Sequence, residues 1–213
     1  MRLRTTLLGA TCALALAGDA EARGWYASID LGASWIADTD VFWFTTTAGV
    51  LGPTTDVEAR FDTGWTLIAA LGYSLNNWRV EWEFGWRTND KDRFDLPLIS
   101  TGDLSELTGM FNMAYHFPIG DALSLSLGGG AGFDYAMLDI VNADDGCFNF
   151  AYQGLVALNY AVSPDVELSV GYRYLHVLDP EFKDTNGPVT VRYHFDDLSK
   201  HALTFGVRYT FAP

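Results

Sequence analysis

The sequence predicts an all-β protein, a single eight-stranded antiparallel up-and-down transmembrane β-barrel. Three observations predict this fold. Eight segments alternate between apolar and polar residues with a period of two; short turns and long polar stretches connect them in alternation; and bulky aromatic residues share one face while glycines and charges share the other. A composition of 15% aromatic residues and 21 glycines suits many strands and tight turns.

The third segment shows the alternation most clearly. Successive side chains of a strand point to opposite sides, so Trp78, Trp82 and Trp86 share one face, and Glu81 and Glu83 share the other. Seven further segments repeat this pattern, at about residues 25–35, 65–73, 107–117, 123–135, 152–160, 166–174 and 203–211. The eight apolar faces hold 44 residues and no charge, where a charged fraction of 19% would place about eight. The pattern therefore predicts eight strands with one apolar face each.

The connections predict the orientation of the barrel. Three of them are short turns, and four are long polar stretches at about residues 36–61, 88–105, 137–147 and 178–199. In membrane barrels the short turns face the periplasm and the long loops face outside. An even number of strands then places the N- and C-termini in the periplasm and gives four long extracellular loops. Alternation in Val189–Phe195 also predicts a hairpin raised above the last strand.

The two faces decide between a soluble and a membrane barrel. A soluble carrier of the lipocalin kind would be polar outside and apolar inside. Here one face carries Trp, Tyr and Phe, and the other carries many glycines with small polar and charged residues. An eight-stranded interior is just wide enough for side chains, so the small and hydrogen-bonding groups belong inside and the aromatic face contacts lipid.

The N-terminus predicts export. Arg2 and Arg4 form a basic region, 7–17 an apolar region, and Ala20-Glu21-Ala22 a cleavage site, so residues 1–22 are predicted to be a cleaved signal peptide and 23–213 the barrel domain. Cleavage after Ala20 is the alternative. Of the two cysteines, only Cys147 remains in the mature chain, which excludes an internal disulfide. A lone thiol is free or pairs with another chain.

Three stretches resemble a known family. Phe150–Gln153, Tyr160–Tyr174 and His201–Phe211 resemble small outer-membrane barrels related to the OmpA transmembrane domain, the opacity proteins and alphaproteobacterial surface antigens. The resemblance covers most of the mature chain. It implies the cell outer membrane of a Gram-negative bacterium, outer-membrane lipid as surroundings, and roles in envelope integrity, adhesion or antigenicity. The end of the chain also resembles the signal read by the β-barrel assembly machinery, through Thr204, Gly206, Tyr209 and Phe211.

The polar face carries a predicted lumenal charge network. Buried charges need partners, and an eight-stranded lumen needs polar side chains to fill it. A structural plug is therefore favoured over a proton or ion path, although charges at membrane depth also occur in transport. The predicted members are Arg79, Glu81, Glu83, Arg87, Glu167, Arg173 and Arg208, with Asp30, His116 and Asp134 nearer the rims.

The long stretches concentrate negative charge. They hold 16 acidic and five basic residues, so they carry −11 of the net charge of −14. This charge disfavours nucleic acid as a partner. Oxygen ligands for a hard cation are present but follow no organised calcium loop, so solvated acidic loops are favoured and no metal or cofactor is predicted. The acidic pairs are Asp38 with Asp40, Asp90 with Asp92, Asp144 with Asp145, and Asp196 with Asp197.

Two further features concern chemistry and recognition. His194, Ser199 and His201 lie near Asp196-Asp197 in the sequence, but no spacing typical of an enzyme family orders a nucleophile and a base. Exposed apolar residues in 41–44 and 96–99 either form recognition surfaces or pack on each other.

Fold alone does not give function. The sequence favours a non-enzymatic structural and surface-interaction protein whose loops meet a host or surface ligand. A narrow porin-like channel for small solutes is the alternative, and a lipid-modifying outer-membrane enzyme is the third reading.

Overall fold

The structure is a computed structural model that describes residues 24–47, 50–94, 102–140, 143–186, 189–195 and 197–211. The predicted signal peptide lies outside this range. No helix in the described part of the chain is long and apolar enough to cross a membrane. The described residues form twelve strands: β1 Gly24–Ile36, β2 Thr39–Thr47, β3 Val50–Phe61, β4 Gly64–Leu75, β5 Trp78–Phe94, β6 Gly102–Pro118, β7 Leu123–Ile140, β8 Ala143–Ala161, β9 Val166–Val177, β10 Glu181–Asn186, β11 Val189–Phe195 and β12 Leu198–Thr210.

Eight of the strands close into an antiparallel barrel. β1 pairs with β4, each of β4 to β8 pairs with the next strand, β9 pairs with β12, and β12 returns to β1. The closing seam runs from Tyr26 opposite Thr210 to Ile36 opposite Lys200. Closure satisfies the backbone groups between strands and leaves no open edge, which is what a hydrocarbon environment demands. The predicted eight-stranded barrel is confirmed.

The barrel has two unlike ends. The turn end carries the three short turns, and there the start of β1 meets the residue after β12, with the Phe211 N–H donating to the Trp25 carbonyl at 2.8 Å. In the β4–β5 turn, Asn76 has φ of 54°, a left-handed conformation that asparagine tolerates better than most residues. The loop end carries the longer connections.

The first and last connections form a second small sheet at the loop end. β2 and β3 make one hairpin, β10 and β11 make another, and β11 pairs with β2 from Val189 opposite Thr47 to Phe195 opposite Val41. β3 then continues onto β5. We call β10, β11, β2 and β3 the loop-end sheet. Val189–Phe195, predicted to start the last strand as a raised hairpin, is instead the separate strand β11, which forms a hairpin with β10 and pairs with β2.

The predicted strand ends are wrong on the loop side. Residues 88–105 and 137–147 were expected to be loops, yet β5 continues to Phe94, β6 starts at Gly102, β7 reaches Ile140 and β8 starts at Ala143. Beyond the apolar band the residues become polar, which removes the alternation that predicts a strand. The strands nevertheless continue, because their backbone N–H and C=O groups remain hydrogen-bonded to the neighbouring strand.

The faces of the barrel strands match the prediction. Trp82 and Phe84 on β5 are 59% and 58% exposed, whereas Glu83 between them is fully buried. The exposed aromatic and aliphatic side chains cover the outside of the barrel. This apolar surface is suited to contact with lipid and not with water. Inside, glycine makes room for large side chains: a Cβ on Gly72 would collide with the ring of Tyr26, which is fully buried.

Candidate functional site

The lumen contains most of the buried ionisable groups of the described chain. Its strands place alternate side chains inward, so charges that lie far apart in the sequence meet across the barrel. Among the described lumen-facing residues, six acidic side chains accompany five basic ones. They are Asp30, Glu81, Glu83, Glu106, Asp134 and Glu167, with Arg79, Arg87, Arg173, Lys200 and Arg208.

A turn-end cluster is built around Glu167 of β9. Arg79 donates to both of its oxygens, from Nη1 to Oε1 at 3.1 Å and from Nη2 to Oε2 at 3.0 Å. Arg208 donates to Oε1 as well, and Nε2 of His116 lies 4.0 Å from Oε2. A bidentate arginine holds a carboxylate in a fixed orientation. Three strands, β5, β9 and β12, are thereby tied together across the lumen.

A central network lies above this cluster. Glu83 accepts hydrogen bonds at both oxygens, from Gln153 Nε2 to Oε1 at 3.2 Å and from Asn112 Nδ2 to Oε2 at 2.7 Å. Arg173 donates to Glu83 Oε2 and lies 3.6 Å from Asp30 Oδ2 through its other terminal nitrogen. Each charge of this pair therefore has more than one partner, which offsets the cost of burial.

Glu81 joins the central network without a direct ion pair in the described contacts. The Tyr26 hydroxyl donates to its Oε2 at 2.9 Å, and Asn112 Nδ2 donates to its Oε1 at 3.2 Å. The guanidinium of Arg208 stacks over the Tyr26 ring, 4.8 Å from its centroid. Tyr26 thus links the central network to the turn-end cluster.

A loop-end cluster consists of Lys200, Glu106 and Asp134. The Lys200 ammonium donates to Glu106 and lies 3.4 Å from Asp134 Oδ2. All three side chains are at most 2% exposed. Oε2 of Glu106 and Oδ1 of Asp134 have no hydrogen-bond partner among the described residues. Arg87 lies in the same part of the lumen and donates to the Thr108 hydroxyl at 3.3 Å.

Apolar side chains cover the lumen at the loop end. Ile36, Leu175, Val177 and Leu198 are lumen-facing by strand parity and at most 6% exposed. Below them, the cavity lined by Tyr26, Asp30 and Arg173 has a volume of about 40 Å³, space for a few waters at most. A larger cavity of about 140 Å³ lies at the turn end, beside Arg79 and Glu167. Buried polar side chains in the middle and apolar side chains at the loop end therefore occupy the lumen beside these two cavities.

The sequence as a whole matches one family model. Residues 5–211 match the outer membrane protein beta-barrel domain. The chain belongs to this family. The match, the closed barrel and its lipid-compatible outer face locate the protein in the outer membrane of a Gram-negative bacterium. No curated protein matches the sequence.

Solved structures agree on the fold of this outer-membrane barrel. OprG of Pseudomonas aeruginosa is similar with a TM-score of 0.62 and 16% identity, over 87% of this chain and 96% of that one. Neisserial surface protein A gives 0.57 and 17%, over 88% and 97%. The outer membrane protein AlkL, solved in lipid bilayers, gives 0.56 and 19%, over 100% and 98%. At such identities the likeness shows the fold alone.

The predicted network residues all line the lumen. Arg79, Glu167 and Arg208 meet at the turn end, and Glu83 meets Arg173 in the centre. Glu81 and Arg87 join through neutral hydroxyl and amide groups. Asp30 and Asp134, expected near the rims, pair with Arg173 and Lys200 inside the barrel.

Sequence reasoning missed Lys200 and Glu106. Lys200 was placed at the edge of a predicted loop, and Glu106 at the edge of another. The missing signal was strand parity, because Lys200 is in phase with Ala202 and Thr204, and Glu106 with Thr108, along strands that continue beyond the apolar band.

The predicted assembly signal divides between the two faces. Thr204 and Gly206 face the lumen, and the Tyr209 and Phe211 rings lie outside, 5.4 Å apart. Its reading by the assembly machinery stays a prediction. Cys147 lies in β8, is buried, and accepts a hydrogen bond from Asn149 at 3.1 Å. It was expected in a loop, but the continued ladder carries it into the lumen wall.

Most of the predicted acidic pairs have side chains that lie outside the described residues. The side chains of Asp40, Asp90, Asp92, Asp144 and Asp145, and all of Asp196, lie outside the described residues, as do Val41, Trp43 and 96–99 of the predicted apolar patches. Within the described part of the chain, no group of three or more His, Cys, Asp or Glu residues could hold a metal ion.

The predicted group of polar residues near the start of β12 separates in the structure. His201 bonds through Nδ1 to the Tyr172 hydroxyl at 2.7 Å and stacks on Trp35, and His194 lies in β11 of the loop-end sheet. Ser199 and Asp197 instead both contact His176 of β9, which the sequence did not single out.

Proposed function

We propose that this outer-membrane barrel is a structural and surface-interaction protein whose lumen does not conduct. Its barrel is a lipid-embedded scaffold, and its loop-end sheet faces outside the cell. The observation that carries the proposal is the closed lumen: paired charges cross it at three levels, and apolar side chains cap it. A hydrated ion path would have to separate these pairs, which is costly in a low-dielectric interior.

The outward orientation is supported by the asymmetry of the two ends. All three described turns at the turn end are short, while the loop end carries a four-stranded sheet. Short turns on the periplasmic side and longer extracellular segments are typical of outer-membrane barrels. The paired hairpins give the outer side an ordered surface, since β11 and β2 exchange backbone hydrogen bonds along seven residue pairs.

Charge favours a particular class of surface ligand. The long stretches hold most of the negative charge of the chain. A ligand with a cationic surface would meet complementary potential there, and a polyanion would be repelled. The neisserial relative is named a surface protein, which is consistent with this role for the present chain.

Conductance separates the proposal from the channel alternative. The folded protein would be inserted into a planar bilayer and its current recorded under applied voltage. We expect a baseline indistinguishable from the bilayer alone. Discrete, reproducible conductance steps from folded protein would contradict the closed lumen and favour a narrow porin-like channel for small solutes.

Complementation tests where the surface role resides. A deletion strain would carry the full protein or a barrel in which short turns replace 40–60, 90–103, 138–145 and 181–195, which together carry −7 of the −11 of the long stretches. Such turns can bridge the gaps because the flanking residues are paired at the strand ends below: Ser34 with Gly64, Asn89 with Leu104, Met137 with Gly146, and Val177 with Leu198. Folding of both proteins is checked by heat-dependent gel mobility.

The two outcomes have distinct meanings. We expect the trimmed barrel to restore detergent resistance, as an envelope scaffold should, but not binding of cells to a cationic surface. Equal binding by the trimmed and full proteins would contradict a binding role for the acidic segments of the loop end. Binding lost on trimming only one hairpin would locate the contact to that hairpin.

A further inference from the structure

The outer face of the barrel carries a serine, a histidine and an aspartate in hydrogen-bonding order. Ser199 of β12 and His176 of β9 are directly opposite in the antiparallel register. Ser199 Oγ lies 3.2 Å from His176 Nδ1, and His176 Nε2 lies 3.1 Å from Asp197 Oδ2. A nucleophile, a base and an orienting carboxylate in this sequence of contacts are the requirement for an activated serine.

The carboxylate is held in place from a second side. The backbone N–H of Asp179 donates to Asp197 Oδ1 at 3.2 Å. Asp179 has φ of 42°, a left-handed conformation that aspartate tolerates better than most residues. The contact leaves Asp197 Oδ2 directed at the histidine.

The contacts define one productive protonation state. With the proton of the neutral imidazole on Nε2, that nitrogen donates to Asp197 and Nδ1 presents its lone pair toward Ser199. The Tyr174 hydroxyl lies 3.0 Å from Ser199 Oγ and 3.3 Å from His176 Nδ1. This phenol is in position to donate to an oxygen that becomes negative next to the serine.

The position of this group on the barrel points to lipid. Twelve residues separate Ser199 from Phe211, and at about 3.3 Å per residue and a tilt of about 40° they span about 30 Å along the barrel axis. The apolar band of such barrels is about 25 Å tall. The serine therefore lies at the far boundary of the band. Below it on the outer face of β12, beyond His201, are the exposed side chains of Leu203 and Phe205.

We propose that Ser199, His176 and Asp197 form a hydrolytic site for carboxylic esters of lipid acyl chains at this boundary. The acyl chain lies along the apolar outer face, and the ester reaches the serine at the level of the headgroups. Two lipid classes carry such esters, phospholipids and the acylated glycolipids of an outer leaflet. This inference goes beyond the scaffold and surface role, which does not require it.

The reaction balances with water as the second reactant. Ser199 Oγ attacks the ester carbonyl carbon, its proton moves to His176 Nδ1, and the carbonyl oxygen takes up negative charge near the Tyr174 hydroxyl. The bond from carbon to the alcohol oxygen then breaks, and the proton on His176 passes to the leaving alcohol. Water, deprotonated by the same histidine, then attacks the acyl carbon. The bond from that carbon to Ser199 Oγ breaks, the proton on His176 returns to Oγ, and a fatty acid is released.

The test uses the full mature protein in vesicles. Folded protein is reconstituted into phosphatidylethanolamine vesicles or into vesicles containing lipid A, and released fatty acid is measured by mass spectrometry. In parallel, a fluorophosphonate probe is added and its site of attachment is mapped. We expect fatty acid release above that of protein-free vesicles and a covalent adduct on Ser199.

Variants separate chemistry from folding. Ser199→Ala should lower release by about 100-fold or to background and abolish the adduct, and His176→Asn should do the same. Asp197→Asn should lower release by about 10-fold or more because the histidine loses its orientation. His194→Asn removes a histidine from the loop-end sheet and should leave release unchanged. Gel mobility confirms that every variant is folded.

Each arm has a defined meaning. Release from only one kind of vesicle supports the site and identifies the lipid class, and release from both supports a site selective for the ester alone. The proposal is overturned if folded wild-type protein forms no adduct and releases no fatty acid from either. It is also overturned if Ser199→Ala retains the wild-type rate, since the release then arises elsewhere.

Discussion

The central network and the loop-end cluster both bury charges, but the charges of the central network have more hydrogen-bond partners. In the centre, Glu83 accepts from Gln153, Asn112 and Arg173. At the loop end, one ammonium, that of Lys200, serves two carboxylates, each of which has an oxygen without a hydrogen-bond partner in the described structure. Both sites are buried. We therefore expect the cost of removing a charge to depend on how many partners each remaining charge keeps.

Removing Lys200 should have the largest effect. Lys200→Met leaves Glu106 and Asp134 buried beside each other without their shared cation, and breaking a buried pair costs about 3–5 kcal/mol. We expect the free energy of unfolding to fall by about this amount. Denaturant unfolding of the vesicle-embedded protein, followed by tryptophan fluorescence, measures it.

A double variant sharpens that result. Lys200→Met combined with Glu106→Gln removes one of the stranded charges, so it should recover about 1–2 kcal/mol of the loss. If the double variant is no more stable than Lys200→Met alone, lost packing of the lysine side chain, and not uncompensated charge, explains the destabilisation.

Glu83→Gln should cost less. Arg173 loses its main partner but keeps Asp30, 3.6 Å away, and the new amide oxygen still accepts at one of the two positions, while its NH2 group faces a donor at the other. We expect a loss of about 1.5–3 kcal/mol, typical of a hydrogen bond to a charged group. A loss equal to that of Lys200→Met in the same unfolding assay would show that the second partner contributes nothing.

Glu81→Gln should have the smallest effect. If Glu81 were directly paired with an arginine, neutralising it would be expected to leave that arginine buried without a partner. In the structure its oxygens instead accept hydrogen bonds from the Tyr26 hydroxyl and Asn112. An amide oxygen can accept either bond, so we expect a loss of about 1 kcal/mol. Tyr26→Phe is the matched control, since it removes the same hydrogen bond from the other side. A loss above about 3 kcal/mol for Glu81→Gln alone would instead indicate direct pairing with an arginine.

The alternation in the sequence predicted which side chains face the lipid and which face the lumen, but not which lumenal side chains pair with each other. Trp82 outside and Glu83 inside follow from a period of two. That Arg79 meets Glu167, 88 residues later, depends on the relative register of strands that are not neighbours. Which residues of a strand face inward can be predicted from that strand alone. The shift of each strand relative to the others around a closed barrel depends on all eight strands together.

The strand ends were the weak point for a related reason. Where the chain leaves the lipid, its outward residues need no longer be apolar, so Lys200 and Glu106 lay at the edges of predicted loops, outside the alternating segments. His176 was missed because the predicted strand ended at Tyr174, two residues earlier. It was also missed because a histidine on the outer face looks like part of an aromatic girdle until its neighbours Ser199 and Asp197 are known.

The pairing of β11 with β2 also determines what a recognition molecule would encounter. Residues 41–47 and 189–195 come from opposite halves of the chain, yet they form adjacent strands of one sheet. A surface assembled in this way is a discontinuous epitope. An antibody raised against a peptide of either hairpin would meet only half of it, whereas immunisation with the closed barrel would present both halves in register.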